Sequence, residues 1–295
     1  PEAFIISGGG LGTDLRVGLL NWIPELDAVV HSQADDPLLI LGQEMLKHRH
    51  RRQPDLPDEL CQVVGGQDGR LQFLYAGAAA LKGSADNPFP LDRLPFPAWD
   101  LLERDVDGVP VLEQIIQIPV WGLGANNSSA TSFEMKRSLT TVTSRGCPYA
   151  CLFCHRGESG ARSWNVRSPE NLAEEFRWLM ETYNVDFVGC VDDNAAVDAW
   201  RCQSLPRACA GLGLRWGTHL RLDEATPERL GPMREAGCIY AGFGAESASA
   251  RTLKRMKKGG HMLTRGLTTV NGYEFPTAMV EGIRYCKEIG VHANC

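Results

Sequence analysis

Ser144-Arg-Gly-Cys147-Pro-Tyr-Ala-Cys151-Leu-Phe-Cys154-His155 carries three cysteines within eight residues, separated by three and then by two positions. Thiolates are soft ligands that favour iron–sulfur clusters and zinc, and three on one short loop can hold three corners of a [4Fe–4S] cube. The fourth iron then has no local ligand, and an open iron suits gripping and reducing a substrate better than storing an electron. Two other readings use the same residues: a zinc site closed by His155, or unligated thiols. Ordinary buried cysteines scatter through a core instead of gathering beside Pro and Gly.

The Cys147-x3-Cys151-x2-Cys154 spacing, with Phe153 before the last cysteine, resembles the cluster loop of the radical S-adenosylmethionine (SAM) family. The resemblance implies that SAM chelates the open iron through its amino and carboxylate groups. An injected electron then splits off a 5′-deoxyadenosyl radical, and Phe153 lies among the SAM contacts.

With 295 residues, 43% of them hydrophobic, the chain can fill one large α/β domain and part of a second. A net charge of −6 points away from a general nucleic-acid or membrane-surface binder. No apolar run reaches membrane-spanning length and no signal peptide is visible. Ten cysteines, three of them clustered, read as a reducing cytoplasm rather than a disulfide framework, and a cluster with an exposed iron favours anaerobic conditions. The chain begins at Pro1 in an apolar run and stops in another at Val291 to Cys295, so both ends are expected to belong to a longer protein.

Ala3 to Ile6 reads as a buried strand running into Gly8, Gly9 and Gly10, with a helix through Ile23. Glycines ending a parallel strand allow a ligand to approach the backbone, although a tight strand-to-helix turn needs them equally. A strand at Asp27 to Val30 and a helix from Pro37 to Lys47 follow, and the basic run Lys47 to Arg52 suits a solvated helix end. This order resembles the end of the cobalamin-binding domain preceding the barrel in one radical SAM subfamily, and implies that Gly8, Gly9 and Gly10 lie near the corrin. That subfamily's Asp-x-His-x-x-Gly motif is absent from the sequence. Residues 1–52 are therefore expected to be the C-terminal part of a Rossmann-like cobalamin domain. Residues 53–137 are read as linker and connector, with a hairpin at Val63 to Tyr75 turning at Gln67-Asp-Gly69. Within it, Leu91-Asp-Arg-Leu-Pro-Phe-Pro-Ala-Trp-Asp-Leu-Leu102 reads as an extended linker similar to that subfamily's connector, Glu113 to Val120 as a strand, and Trp121 to Ser132 as a mobile loop.

From Ser138 strands and helices alternate, predicting a (β/α) barrel over 138–295 with its chemistry at the C-terminal strand ends. The predicted strands are Leu139 to Thr143, Asp186 to Val191, Arg215 to Arg221, Ile239 to Gly244 and a fifth from Val291. Helices are expected at Leu172 to Tyr183 capped by Ser168, at Pro227 to Ala236, and near Phe275 to Ile289. The fold class is thus α/β: a partial (β/α)6 radical SAM barrel, lacking its sixth strand, behind a Rossmann-like remnant. The cysteines, Asp192 and Asp193, Arg221 and Glu246 fall at successive strand ends, where buried ions need partners. SAM offers an ammonium, a sulfonium and a ribose diol, and its carboxylate suits an arginine fork. By resemblance, Asp192 and Asp193 lie near the methionine amino group, Glu246 and Ser247 contact the bound nucleoside or its amino acid, and Arg221 belongs to an Arg-x-Asp pattern.

The resemblance implies a cobalamin-dependent radical SAM methyltransferase that uses a [4Fe–4S] cluster, SAM and cobalamin to methylate an unactivated carbon. Its substrate would be a peptide or a small molecule, and its electron donor a ferredoxin or flavodoxin. Gly217-Thr-His219 and Asn271-Gly-Tyr-Glu-Phe-Pro276 look similar to enzymes that methylate a protein glutamine in methyl-coenzyme M reductase. A radical SAM cyclase or rearrangement enzyme, and a zinc-binding scaffold, are the alternatives.

Overall fold

The structure is a computed structural model that describes residues 4–31, 33–48, 61–65, 71–76, 88–102, 105–106, 108–117, 135–154 and 163–295. Two compact units emerge, a first comprising Pro1–Lys82 and Cys154–Arg162 and a second comprising Gly83–Phe153 and Ser163–Cys295.

In the first unit β1 (Ile6–Ser7), α1 (Gly9–Leu15), α2 (Val17–Trp22), β2 (Ala28–His31), α3 (Asp35–His48), β3 (Cys61–Gly65) and β4 (Leu71–Ala76) form a sheet in the order β1-β2-β4-β3. β1, β2 and β4 run parallel, and β3 returns antiparallel to β4. The hairpin expected inside the linker therefore completes the first sheet, while its turn lies outside the described residues. β1 begins at Ile6, later than its apolar run suggests, and Gly9, at φ +74, turns the chain into α1. Buried Asp27 holds the strand entry by accepting the Ile5 amide at 2.8 Å.

The second unit begins at the connector. Short 3₁₀ turns at Pro90–Arg93 and Trp99–Leu102 replace the fully extended linker expected there. Phe89 stacks on Trp200 and Phe96 on Trp178, while Asp92 accepts the Ser168 amide at 2.8 Å. After β5 (Asp105–Val106) and β6 (Val109–Pro110), the stretch predicted as a strand begins instead as α4 (Val111–Gln117). Leu112 and Ile116, one helical turn apart, are buried there, and Gln117 bonds Glu113 across the same spacing, so packing overrides β-branched propensity. Residues 118–134, including the expected loop, lie outside the described set.

The main sheet contains β7 (Ser138–Thr141), β10 (Phe187–Cys190), β11 (Arg215–Leu220), β12 (Cys238–Phe243) and β15 (His292–Asn294), all parallel and side by side in chain order. A parallel sheet extended in one direction, with helical crossovers, is an arc of a (β/α) barrel. The crossovers carry β8 (Ser144–Gly146) with β9 (Trp164–Val166), then α5 (Pro169–Tyr183), α6 (Ala199–Ala208), α7 (Leu230–Glu235), α8 (Ala250–Arg255), α9 (Gly259–Met262), the hairpin β13 (Leu267–Val270) with β14 (Tyr273–Pro276), and α10 (Thr277–Ile289). Ser168 caps α5 by accepting the Asn171 amide, and Leu172, Phe176, Leu179 and Tyr183 form its buried stripe. The helix expected near Phe275 starts two residues later, because Tyr273–Pro276 pairs with β13.

Val188, Cys190, Trp216, Leu220, Ala241 and Phe243 alternate along the strands and pack into the core formed with the helices. On the other sheet face Phe187 meets Tyr240. Gly217 lies between these rings, where a Cβ would come within 2.9 Å of the Tyr240 Cβ. At the barrel wall Glu175 is fully buried; it pairs with Arg167 and accepts the Thr141 hydroxyl at 2.7 Å. Glu175→Gln should therefore lower unfolding stability by about 3 kcal/mol, since it leaves a buried guanidinium without its counter-charge. Urea unfolding checks this, and a loss below about 1 kcal/mol would mean that Arg167 finds another partner.

Candidate functional site

The cysteine loop leaves the first barrel strand under tight backbone control. Asp192, buried at the end of β10, accepts the Thr143 and Ser144 amides at 2.7 and 2.8 Å, the Thr143 hydroxyl at 2.7 Å and the Thr218 hydroxyl at 3.3 Å. Burial raises its pKa, and the Thr143 and Ser144 hydrogen bonds oppose that rise. Exposed Asp193 accepts the Gly146 amide at 3.1 Å. Gly146 itself has φ +87, and a Cβ there would lie 2.3 Å from the Ser163 carbonyl oxygen, so glycine is required immediately before Cys147. The double aspartate expected at a SAM amino group thus grips the loop's entry, with Asp192 wholly engaged by protein donors and Asp193 at the surface.

Within the loop, Tyr149 donates its hydroxyl to buried Glu224 at 2.6 Å and lies 4.1 Å beneath the Arg221 guanidinium. Burial raises the pKa of both Tyr149 and Glu224. Arg221 sends Nε and Nη2 to the two Asp223 carboxylate oxygens, each at 2.9 Å. Asp223 therefore takes two of the three guanidinium nitrogens that the sequence reading offers to a SAM carboxylate.

The loop's far side is pinned to the segment after β12. The Leu152 amide donates to the Met256 carbonyl at 2.9 Å, Arg221 Nη2 reaches the Lys258 carbonyl at 3.5 Å, and the Lys258 ammonium sits 5.7 Å from the Phe153 ring. Lys258 also pairs with Glu246, a residue with φ +53 directly after β12. Gly244 makes room for that pair, since a Cβ there would lie 2.7 Å from Glu246 Oε1 and from Lys258 Nζ. Ser247, half-buried beside them, accepts the Ser249 amide at 3.1 Å. The structure thus brings Phe153, Glu246 and Arg221 around Lys258. Sequence reasoning did not assign Lys258, Tyr149 or Glu224; the nearest signal is the position of Tyr149 between two cysteines.

Cys151 is buried, Cys147 partly buried and Cys154 exposed. Burial raises the Cys147 thiol's pKa, the Tyr149 amide lowers it, and the nearby charges of Glu224, Arg221 and Cys151 act on it too. Among the described residues no three His, Cys, Asp or Glu side chains converge as a ready-made metal site. His155, the zinc alternative's fourth ligand, lies outside the described residues. In the core, burial pushes Cys202 and Cys209 up to about 11 and Cys238 and Cys286 up to about 12, which keeps them as neutral thiols. Cys295 is exposed like Cys154, but it stands alone at the chain's last position, whereas the loop gathers three soft donors. In the first unit Gly8, Gly9 and Gly10 are exposed at the end of β1. Among the described residues no helix is long and apolar enough to cross a membrane.

Comparison with known proteins agrees with this arrangement. The chain is 27% identical over 99% of its length to an uncharacterized methyltransferase of Pyrococcus horikoshii, covering 53% of that protein. It is 25% identical over 88% of its length to the anaerobic magnesium-protoporphyrin IX monomethyl ester cyclase of Rubrivivax gelatinosus, covering 41% of it. The chain thus spans about half or less of these relatives. Its fold superposes with a TM-score of 0.64 on OxsB, a cobalamin-dependent SAM radical enzyme solved with aqua-cobalamin and SAM bound, at 19% identity and covering 98% of this chain and 35% of that one. The radical SAM superfamily sequence profile matches residues 141–295, from the first barrel strand through the last. With its cysteine loop at the mouth of a parallel α/β arc, this chain belongs to the radical SAM superfamily.

Proposed function

We propose that the chain contains the catalytic core of a cobalamin-dependent radical SAM methyltransferase acting on an unactivated carbon. The observation that carries this reading is the clamping of one three-cysteine loop from both sides, by Asp192 and Asp193 at its entry and by the Met256 to Lys258 segment at its far end. Similarity to a methyltransferase along nearly the whole chain supports methyl transfer. Likeness in fold to a cobalamin-binding enzyme supports the cofactor.

In this account Cys147, Cys151 and Cys154 would ligate three irons of a [4Fe–4S] cluster. When bound, the cluster supplies the electron that cleaves SAM, and cobalamin carries the methyl group. Glu246 and Asp193 present carboxylates to the cationic and hydroxyl groups of SAM, Phe153 offers it an exposed ring, and Ser247 a hydroxyl. Lys258 holds Glu246 in place and keeps its charge balanced until the ligand arrives. Gly8, Gly9 and Gly10 leave the end of β1 open for the corrin. A ferredoxin- or flavodoxin-class protein delivers the electron, and a peptide or small molecule accepts the methyl group. Similarity to a cyclase favours, as the second reading, ring closure by the same radical without methyl transfer.

Anaerobic reconstitution with iron, sulfide, hydroxocobalamin, SAM and dithionite separates these readings. The protein should bind about four irons, the number in one cube, and release 5′-deoxyadenosine; Cys147→Ala, Cys151→Ala and Cys154→Ala should each abolish the nucleoside. Loaded protein that yields none overturns the assignment. Corrinoid retention and a methylated product support the methyltransferase, whereas product without an added methyl supports the cyclase.

Gly244→Ala tests the SAM contacts. The clashing atoms are ends of flexible side chains, so the fold should lose less than about 1 kcal/mol. Displaced Glu246 should weaken SAM binding by about tenfold, the size of one charge-assisted hydrogen bond. Calorimetric titration of SAM measures the effect, and unchanged affinity would remove Glu246 from the binding site.

A further inference from the structure

Arg221 stands beside the cluster loop in a way that its pairing with Asp223 alone does not explain. Its side chain is 8% exposed, and Asp223 engages Nε and Nη2. The remaining nitrogen, Nη1, lies 3.9 Å from the Cys151 sulfur, within reach of an N–H···S contact. Three surroundings fix its aim: the Tyr149 ring 4.1 Å below, the Asp223 carboxylate at one edge, and the Lys258 carbonyl 3.5 Å from Nη2. Tyr149 is itself fixed by Glu224 and by an edge contact to His261 with ring centroids 5.3 Å apart. The guanidinium therefore has little freedom to turn its Nη1 away from the sulfur.

We propose that Arg221 is a positioning residue that donates an N–H to the Cys151 thiolate of the iron–sulfur cluster and thereby makes the cluster easier to reduce. The inference rests on the cluster assignment made above. Hydrogen bonds to ligating sulfurs withdraw electron density and stabilise the more negative, reduced state. One electron passes from a low-potential one-electron donor onto the cluster, taking it from the 2+ to the 1+ state while the donor is oxidised; no bond breaks and no proton is required. Because Arg221 and Asp223 form a pair with no net charge, their distant fields largely cancel. The local N–H···S contact is what remains to act on the cluster.

Two variants separate hydrogen bond from charge. The double variant Arg221→Gln with Asp223→Asn removes the ion pair as a neutral unit, avoiding a lone buried carboxylate. Arg221→Lys keeps the positive charge for Asp223 but has no second nitrogen to extend to Cys151. Each is reconstituted anaerobically beside the wild type, assayed for iron and sulfide, and titrated with dithionite while the reduced cluster is followed by electron paramagnetic resonance. Both variants should load a cluster whose reduction equilibrium is about tenfold less favourable, a shift of about 59 mV to more negative potential for one electron. A merely structural role would change stability or iron content and leave the potential in place. Loaded variants with wild-type potential overturn the proposal. If the double variant fails to load, Arg221→Lys decides: a negative shift supports the contact and an unchanged potential refutes it. A wild-type protein that binds no cluster refutes both this inference and the function on which it rests.

Discussion

A buried carboxylate must be met by donors, and at Asp192 that requirement ties the barrel together. Its oxygens collect two amides and a hydroxyl from the turn after β7 and a hydroxyl from β11, while its own backbone continues from β10. Three adjacent strand ends are thus joined at one point inside the protein. The cysteine loop departs from that point, so its starting direction is fixed by the core. Arg201, fully buried, adds to the same junction by donating to the Thr143 and Arg167 carbonyls. An unpaired carboxylate in this position would cost several kcal/mol, roughly. The saturation of Asp192 by donors turns that liability into a geometric constraint.

From this anchor the site is built outwards. Arg221, Asp223 and Glu224 have nearly dry side chains beneath half-buried Tyr149, and buried Lys258 pairs with the more exposed Glu246. Phe153 and Cys154 are at the exposed end. Such a gradient suits a cofactor that enters from solvent and is gripped from below.

The fold was largely legible because the signals are local. Ser168 and Pro169 announce a helix start, β-branched Thr140 and Thr141 mark Ser138–Thr141, and the cysteine spacing needs no tertiary information. That Glu113 to Val120, expected as a strand, begins within the helix Val111–Gln117 has a physical cause. Val, Ile and Leu favour a strand by propensity, yet the burial of Leu112 and Ile116 and the pairing of Glu113 with Arg137 become visible only once the helix packs on β7. Arg221 is a similar case at the site. Its place at a strand end was readable, but the choice of Asp223 over a ligand depended on the short 3₁₀ turn at Leu222–Glu224 bringing that carboxylate back to the guanidinium. Glu224 went unassigned because nothing in its sequence neighbourhood distinguishes it from a surface charge.

The central claim is a cluster held at three corners with its fourth iron reserved for SAM. The most direct measurement is electron–nuclear double resonance on the reduced, cluster-loaded protein mixed with SAM carrying ¹⁵N in its amino group and ¹⁷O in its carboxylate. Direct chelation predicts hyperfine coupling from both labels to the cluster spin, lost when SAM is omitted. Absence of both couplings in protein with intact [4Fe–4S] content, or metal analysis yielding a single zinc, would contradict the account.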